Sequence, residues 1–308
     1  MKRWWRWLGL LLAFVLHGWA LAAPACPPPV QVAVGAAAAE RDRGLLWRVS
    51  RDGRTSYLYG TLHVGKPAWR RFGPQISAAL KASDVLALEI DPADPALLEA
   101  LTDIRSPEAL PEPVRARLQK AYERACMAME ALAALHPLLQ ASTLTVLEAR
   151  WLGMDPAYAS ESLLAAQVRA NGRKVVSLET VAQQKAALVP DSNEEALALL
   201  EQTLTQLEDL SGRRVLERLS RAWERGDLAA LEDYDTWCEC VGTEAERAFM
   251  RKLNDERNPA LADGIEAQHK TGKRVFAAVG ALHMTGAAAL PRLLAQRGFK
   301  VERISFTR

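Results

Sequence analysis

No H-E-x-x-H helix is present, which excludes a zincin-type metalloprotease, because that chemistry needs two histidines one helical turn apart. The sequence also lacks a G-x-S-x-G elbow, a Walker A loop and a G-x-G-x-x-G turn, so serine-hydrolase, nucleotide-hydrolase and dinucleotide readings lose their signatures. Aromatic residues make up only 6%, which leaves no evident stacking platform for polysaccharide. Net charge is small as well. It is formally +2, with part of the positive charge in the first few residues, so there is no electrostatic case for nucleic acid. Cysteines are few: Cys26, Cys126, Cys238 and Cys240 allow two disulfides, in three connectivities if all pair. With no second Cys or Cys/His pair at a matching spacing, Cys238-Glu239-Cys240 reads as disulfide-forming rather than as half of a metal site. Two such neighbours bonded to each other would be strained, so each is expected to reach a distant partner.

What is present is a globular composition, 49% hydrophobic and 25% charged, with ample material for a core in one domain or two closely associated lobes. Residues 1–23 follow the order of a secretory signal peptide. The basic start Lys2-Arg3-Trp4-Trp5-Arg6 leads into an apolar run from Leu8 to Leu16, then Ala20-Leu21-Ala22-Ala23, with cleavage after Ala22 or Ala23. The apolar run is short for a membrane span, and Pro24-Ala25 argues against lipidation of Cys26. The mature chain is therefore expected to be periplasmic or secreted, with no transmembrane span after cleavage. Residues 24–44 read as a Pro/Ala-rich linker.

Two stretches organise the rest, Gly60-Thr61-Leu62-His63 and Gly280-Ala281-Leu282-His283. Each follows an apolar, strand-like run, and the glycine leaves the histidine accessible at the strand's end. Residues 45–60 predict a β-hairpin turning at Asp52-Gly53. Residues 74–82 predict a helix and 85–90 a buried strand, giving a strand–motif–helix–strand unit for which a parallel pair with a right-handed crossover is favoured. The same order recurs at the C-terminus: strand 275–279, motif, helix 287–297 with Gly298 as its cap, and strand 301–304. The fold class is therefore α/β, a mixed central sheet built from two similar βαβ units, with a large helical insertion over about 97–270. Within that insertion, helices are expected over 113–135, 137–152 and 156–171, a short strand over 174–179, and charge-rich helices over 194–257 broken at Gly212 and Gly226.

Of the histidines beyond the leader, His63 and His283 stand in matching contexts that point to one bipartite site. His136, before Pro137, is expected to be a packing residue, and His269, beside Lys270, a surface one. Glu89 and Glu179 each end an apolar run, where an unpaired carboxylate would be costly, so each needs a cation, a donor or a metal. For Glu179, pairing with Arg257 or another arginine stands level with a site role. Two neutral histidines and a carboxylate around a divalent cation (Zn, Mn or Co), with one position open for water, form a recognised hydrolytic arrangement.

These residues carry a resemblance to the TraB/GumN family, which includes the Tiki-type metalloproteases. The matching pieces, in order, are Tyr59-Gly60-Thr61-Leu62-His63, Leu88-Glu89-Ile90-Asp91, Gly153-Met154-Asp155, Ser177-Leu178-Glu179-Thr180 with Gln183 or Gln184 after it, Glu256-Arg257-Asn258, and Ala278-Val279-Gly280-Ala281-Leu282-His283 with Gly286. The stretch His136-Pro137-Leu138 departs from the Lys-Pro-Trp-like pattern expected there. The resemblance implies an α/β fold, two Gly-x-x-His motifs brought together, and metal-dependent hydrolase or peptidase activity on a peptide or small ester or amide. Carried over, His63, Glu89 and His283 become metal or catalytic positions, with Glu179, Arg257 and Asn258 supporting them. Two rivals stand beside this reading: a metal-free His/Glu hydrolase resembling erythromycin esterases, and a non-catalytic envelope binding or assembly protein in which the motifs brace two half-sheets.

Overall fold

Asp52 and Gly53 both take positive φ, 52° and 72°, the signature of the two-residue turn that matches the twist of a hairpin. That turn joins β1 (Leu45–Arg51) to β2 (Arg54–Thr61), paired antiparallel from Leu45↔Gly60 to Arg51↔Arg54. The computed structural model describes residues 26–31, 40–104 and 109–306. The expected signal peptide and part of the expected linker lie outside the described residues.

After β2, the helix α1 (Pro74–Ala82) leads to β3 (Val85–Leu88). Then follow α2 (Pro95–Thr102), α3 (Glu112–Ala125), α4 (Pro137–Leu147), α5 (Ser160–Ala170) and the short β4 (Lys174–Ser177). Beyond it run α6 (Val181–Leu188), α7 (Asn193–Glu208), α8 (Ser211–Glu224), the short α9 (Leu228–Glu232) and α10 (Tyr234–Trp237), α11 (Glu244–Leu253) and α12 (Asn258–Lys270). The chain closes with β5 (Val275–Gly280), α13 (Leu290–Gln296) and β6 (Lys300–Ile304). Among the described residues no helix is long and apolar enough to cross a membrane.

The mixed sheet has the order β4-β3-β5-β2-β1-β6. β5 is its centre, parallel to β2 on one side and to β3 on the other, and every residue of it is buried. Such a strand must be apolar throughout, as Val275-Phe276-Ala277-Ala278-Val279 is. Burying each of its large side chains contributes roughly 1.5–3 kcal/mol. The two expected units therefore interleave: β2 and β3 are not neighbours, because β5 lies between them. β6 cannot pair with β5, whose two edges are taken, and instead adds antiparallel to the free edge of β1. A second apolar cluster lies in the helical insertion, where Val114, Leu118 and Tyr122 of α3 meet Leu138 and Leu144 of α4 and Leu200 and Leu204 of α7.

Several local expectations change. The first long helix ends at Ala125, where Cys126 turns left-handed (φ 52°) and bonds to Cys26, while the helix over 137–152 finishes as a 3-10 turn from Glu148 to Leu152. Gly212 lies inside α8, and the break comes instead at Leu210, φ 64°. The expectation that neighbouring cysteines seek distant partners is overturned: Cys238 bonds to Cys240, with Cα atoms 5.1 Å apart. Glu239, folded to φ 54°, brings the two within bonding reach. His269 is not a surface residue but fully buried, its ring 5.0 Å from that of Phe299, with Nδ1 3.0 Å from the Ser56 hydroxyl and Nε2 3.1 Å from the Arg51 carbonyl. His136 is buried as expected and caps α4, its Nδ1 accepting from the Leu138 N–H at 3.2 Å.

Candidate active site

The parallel register sets Thr61 beside Gly280 and Leu88 beside Ala278, so β2, β5 and β3 deliver both histidine motifs and Glu89 to one edge of the sheet. This is the carboxyl end of the parallel strands, the position where open α/β sheets bind ligands. Close backbone approach explains the glycines. A Cβ on Gly60 would lie 3.2 Å from the Ala281 Cα, so the two motifs touch. A Cβ on Gly280 would lie 3.2 Å from Glu89 Oε1, 3.4 Å from His283 Cδ2 and 3.8 Å from His63 Nε2. The point above Gly280 is thus the place where the three site residues converge.

Each histidine is oriented through Nδ1. Asn258, fully buried, donates its amide N–H to the Ala288 carbonyl at 2.9 Å, so its Oδ1 is the acceptor facing His283 Nδ1 at 2.6 Å. His283 therefore carries its proton on Nδ1 and leaves Nε2 bare. Burial pushes its pKa down to about 4 against the pull of Glu89, so the ring is neutral at neutral pH. His63 lies 2.6 Å from Glu161 Oε1 through its Nδ1. Attraction to that carboxylate, followed by the hydrogen bond itself, outweighs burial and raises His63 to about 9. Its side chain is 63% exposed, so water screens the pair and the upward direction is what matters.

Glu89 is held on both oxygens. Oε1 accepts the Gly280 N–H at 2.6 Å and Oε2 accepts from Arg257 Nη2 at 2.7 Å. Burial works to raise this carboxyl, but the charges of His283, Arg257 and His63 and the Gly280 N–H outweigh it and set it at about 2. With His283 neutral at neutral pH, Arg257, His63 and the Gly280 N–H sustain the ionisation there. Arg257 also forks onto Glu179, with Nε to Oε1 at 2.9 Å and Nη2 to Oε2 at 2.5 Å, and Nη2 reaches Gln184 Oε1 at 3.0 Å. Glu179 is therefore the buried partner of Arg257, and Gln184 reaches the site, while Gln183 completes the cap of α6 with Thr180. One guanidinium bonds both buried carboxylates, and the positive charge of His63 adds to its hold on Glu89.

The structure thus brings together His63, Glu89, His283, Glu179, Arg257 and Asn258. It does not close them into a coordination sphere: His283 Nε2 is 3.8 Å from Glu89 Oε2 and 3.5 Å from Arg257 Nη1. Among the described residues no group of three or more His, Cys, Asp or Glu stands in metal-ligand geometry. Glu161, which sequence reasoning missed, lies 98 residues from His63 at the start of α5. Its neighbour Ser160 receives the Leu62 N–H at 2.8 Å, and Asp155 and Gly65 form a bridge through their backbones. Tyr158 packs so closely that a Cβ on Gly65 would meet its carbonyl oxygen at 2.2 Å. The sequence signal for this dock was the Gly153-Met154-Asp155 stretch.

A mixed α/β sheet presenting two strand-end histidines, each oriented through Nδ1, around a buried Glu–Arg–Glu cluster defines a class of protein with paired Gly-x-x-His motifs. The chain belongs to the TraB/PrgY/gumN family, whose model matches residues 45–303. It is similar to the uncharacterized protein YbaP of Shigella flexneri, 25% identical over 252 residues, an alignment covering 78% of this chain and 88% of that protein. No solved structure matches the chain.

Proposed function

We propose that the chain is a hydrolase of amide or ester bonds, peptidase-like or esterase-like, whose site holds a divalent cation (Zn, Mn or Co) on His63, His283 and Glu89. The observation that carries this reading is the commitment of both Nδ1 atoms, to Glu161 and to Asn258, which leaves the Nε2 atoms as the ring nitrogens to offer a cation near Glu89, His63 by giving up its proton and His283 by giving up its 3.5 Å contact with Arg257 Nη1. Metal-binding histidines are oriented in this way, by a carboxylate or an amide oxygen behind the ring. The charge balance supports it too, since the three carboxylates Glu89, Glu179 and Glu161 face two cations, Arg257 and His63. Loading requires Glu89 to share its oxygen between Arg257 and the cation.

When bound, a divalent cation supplies Lewis acidity that polarises a carbonyl and raises the acidity of water. Asn258 holds the His283 tautomer, Glu161 holds the His63 ring, and Arg257 with Gly280 N–H fixes both oxygens of Glu89. Asn258 is too deeply buried to reach a substrate carbonyl, so its part is positioning. We further place the mature chain in a periplasm or outside the cell, a reading supported by its two disulfides and by the leader-like residues 1–23.

The metal-free alternative is favoured by the 2.6 Å His63–Glu161 pair, a base with its orienting carboxylate. A protonated His63 has no lone pair to give, so that mechanism demands activity that climbs as pH rises toward the His63 pKa. The test is metal analysis of full-length protein purified without chelator, with hydrolysis of a peptide and ester panel in added Mn, Co or Zn. Wild type is expected to carry stoichiometric metal and to hydrolyse a panel member, with both lost in His63→Ala and His283→Ala. Activity that survives chelation supports the metal-free mechanism. Absence of both metal and hydrolysis favours the non-catalytic binding protein.

A further inference from the structure

The Cys238–Cys240 bond encloses a single residue, whereas Cys26–Cys126 spans 100 positions of chain. The entropy a cross-link removes from the unfolded chain grows with the loop it closes, so folding protects the long bond and does little for the short one. The short bond also carries a local cost: Glu239 is held at φ 54°, a left-handed conformation that a non-glycine residue adopts only under constraint. Opening the bond releases it.

The surroundings give the bond a direction. Cys238 is buried, while Cys240 is partly exposed. The Cys240 backbone N–H donates to Cys238 Sγ at 3.2 Å, and this hydrogen bond strengthens when that sulfur becomes an anion. Cys240 is therefore the sulfur an incoming thiolate reaches, and Cys238 the leaving group prepared for charge. The flanking structure has anchors besides the bond: Arg214 Nη2 donates to Glu239 Oε2 at 3.1 Å, and the Trp237 indole N–H donates to the Ala230 carbonyl at 3.0 Å.

We propose that Cys238–Cys240 is a thiol–disulfide exchange site for a dithiol partner, distinct from the structural Cys26–Cys126 bond. A thiolate of the dithiol attacks Cys240 Sγ, and the pair of electrons from the broken S–S bond leaves on Cys238 Sγ. The second thiolate of the dithiol then attacks its own mixed-disulfide sulfur and releases Cys240. The partner departs as a disulfide, and its two protons end on Cys238 and Cys240, so electrons and protons balance.

The test equilibrates full-length protein with glutathione buffers of graded ratio near neutral pH, followed by acid trapping, alkylation and peptide mass spectrometry, with circular dichroism on the same samples. Cys238–Cys240 is expected to be half reduced at a GSH²/GSSG ratio at least about tenfold below that for Cys26–Cys126, with the dichroism unchanged. Glutathione trapped at short times is expected on Cys240. Glu239→Asn, which tolerates the left-handed conformation better, is expected to make the bond harder to reduce by on the order of fivefold. The proposal is overturned if the two bonds reduce together, if Cys26–Cys126 opens first, if the short bond opens only as the dichroism is lost, or if the trapped glutathione sits on Cys238.

Discussion

Arg257→Met is the perturbation that asks most of this site. It keeps much of the side-chain volume but removes the charge that lies between Glu89 and Glu179, whose side chains are 12% and 2% exposed. Breaking a buried pair by deleting one partner costs about 3–5 kcal/mol, because the charge left behind is uncompensated. Urea unfolding of chelator-treated protein near pH 7 should show a loss of that size. The pH dependence supplies the sharper check. In wild type, Glu89 drops from its ordinary 4.5 to about 2, which corresponds to about 3 kcal/mol of stability. A carboxyl depressed on folding gives that stability above its unfolded pKa, and the stability drains away as pH falls from about 4.5 through 2. Without Arg257 the depression of Glu89 shrinks, because only His283, His63 and the Gly280 N–H are left to oppose burial. Arg257→Met should therefore lose less stability than wild type as pH falls from about 4.5 toward 2. Adding Glu179→Gln should recover part of the loss. A cost below about 1 kcal/mol, or parallel pH profiles for the two proteins, would refute the claim that this guanidinium holds two buried charges.

Gly280→Ala places a methyl 3.2 Å from Glu89 Oε1 and 3.4 Å from His283 Cδ2, so metal content or hydrolysis should fall more than tenfold while the unfolding midpoint shows an overpacking cost of about 1–3 kcal/mol. Asn258→Leu leaves the His283 N–H and the Ala288 carbonyl without their partners in a buried site. It should cost about 2–3 kcal/mol in urea and about 10–100-fold in metal affinity or activity, measured by competitive chelation and rate assays. Imidazole NMR of chelator-treated protein near pH 7 should find His63 protonated and His283 and His269 neutral, and Glu161→Gln should bring His63 back toward its ordinary 6.5. Burial lowers His269, so its contribution to stability is present above about pH 6.5 and is lost as pH falls below it. Replacing it with Gln should flatten that part of the stability curve.

Local chemistry made parts of this molecule legible in advance. Asp52-Gly53 between alternating runs wrote the hairpin, and Pro74 with its amphipathic pattern wrote α1 to the residue. The two Gly-x-x-His motifs were recognisable because each needed both a strand end and a glycine. That they form one site was expected from their matching contexts, but the strand order that brings them together was not legible. Strand order depends on which edges remain free after long-range pairing, and nothing near residue 57 or residue 85 tells that residues 275–280 will lie between them. Glu161 was hidden for the same reason, since it opens a helix whose own sequence gives no hint of the loop it braces. His269 was misjudged because its neighbour Lys270 and the polar pattern describe the average helix face, while a single ring can turn inward if Ser56 and the Arg51 carbonyl are there to receive it. The cysteine pair escaped because strain was weighed without the one residue, Glu239, able to absorb it.

The placement of β5 also governs how the molecule comes into being. Its two flanking strands are complete once residue 88 has been made, yet the strand that joins them is synthesised only after the whole helical insertion. Until it arrives, the inner edges of β2 and β3 carry open rows of peptide groups, a state prone to wrong pairing. A chain cut short before residue 275 should therefore aggregate rather than work in part. His283 follows β5 directly, so a chain that stops before residue 275 cannot assemble the histidine pair.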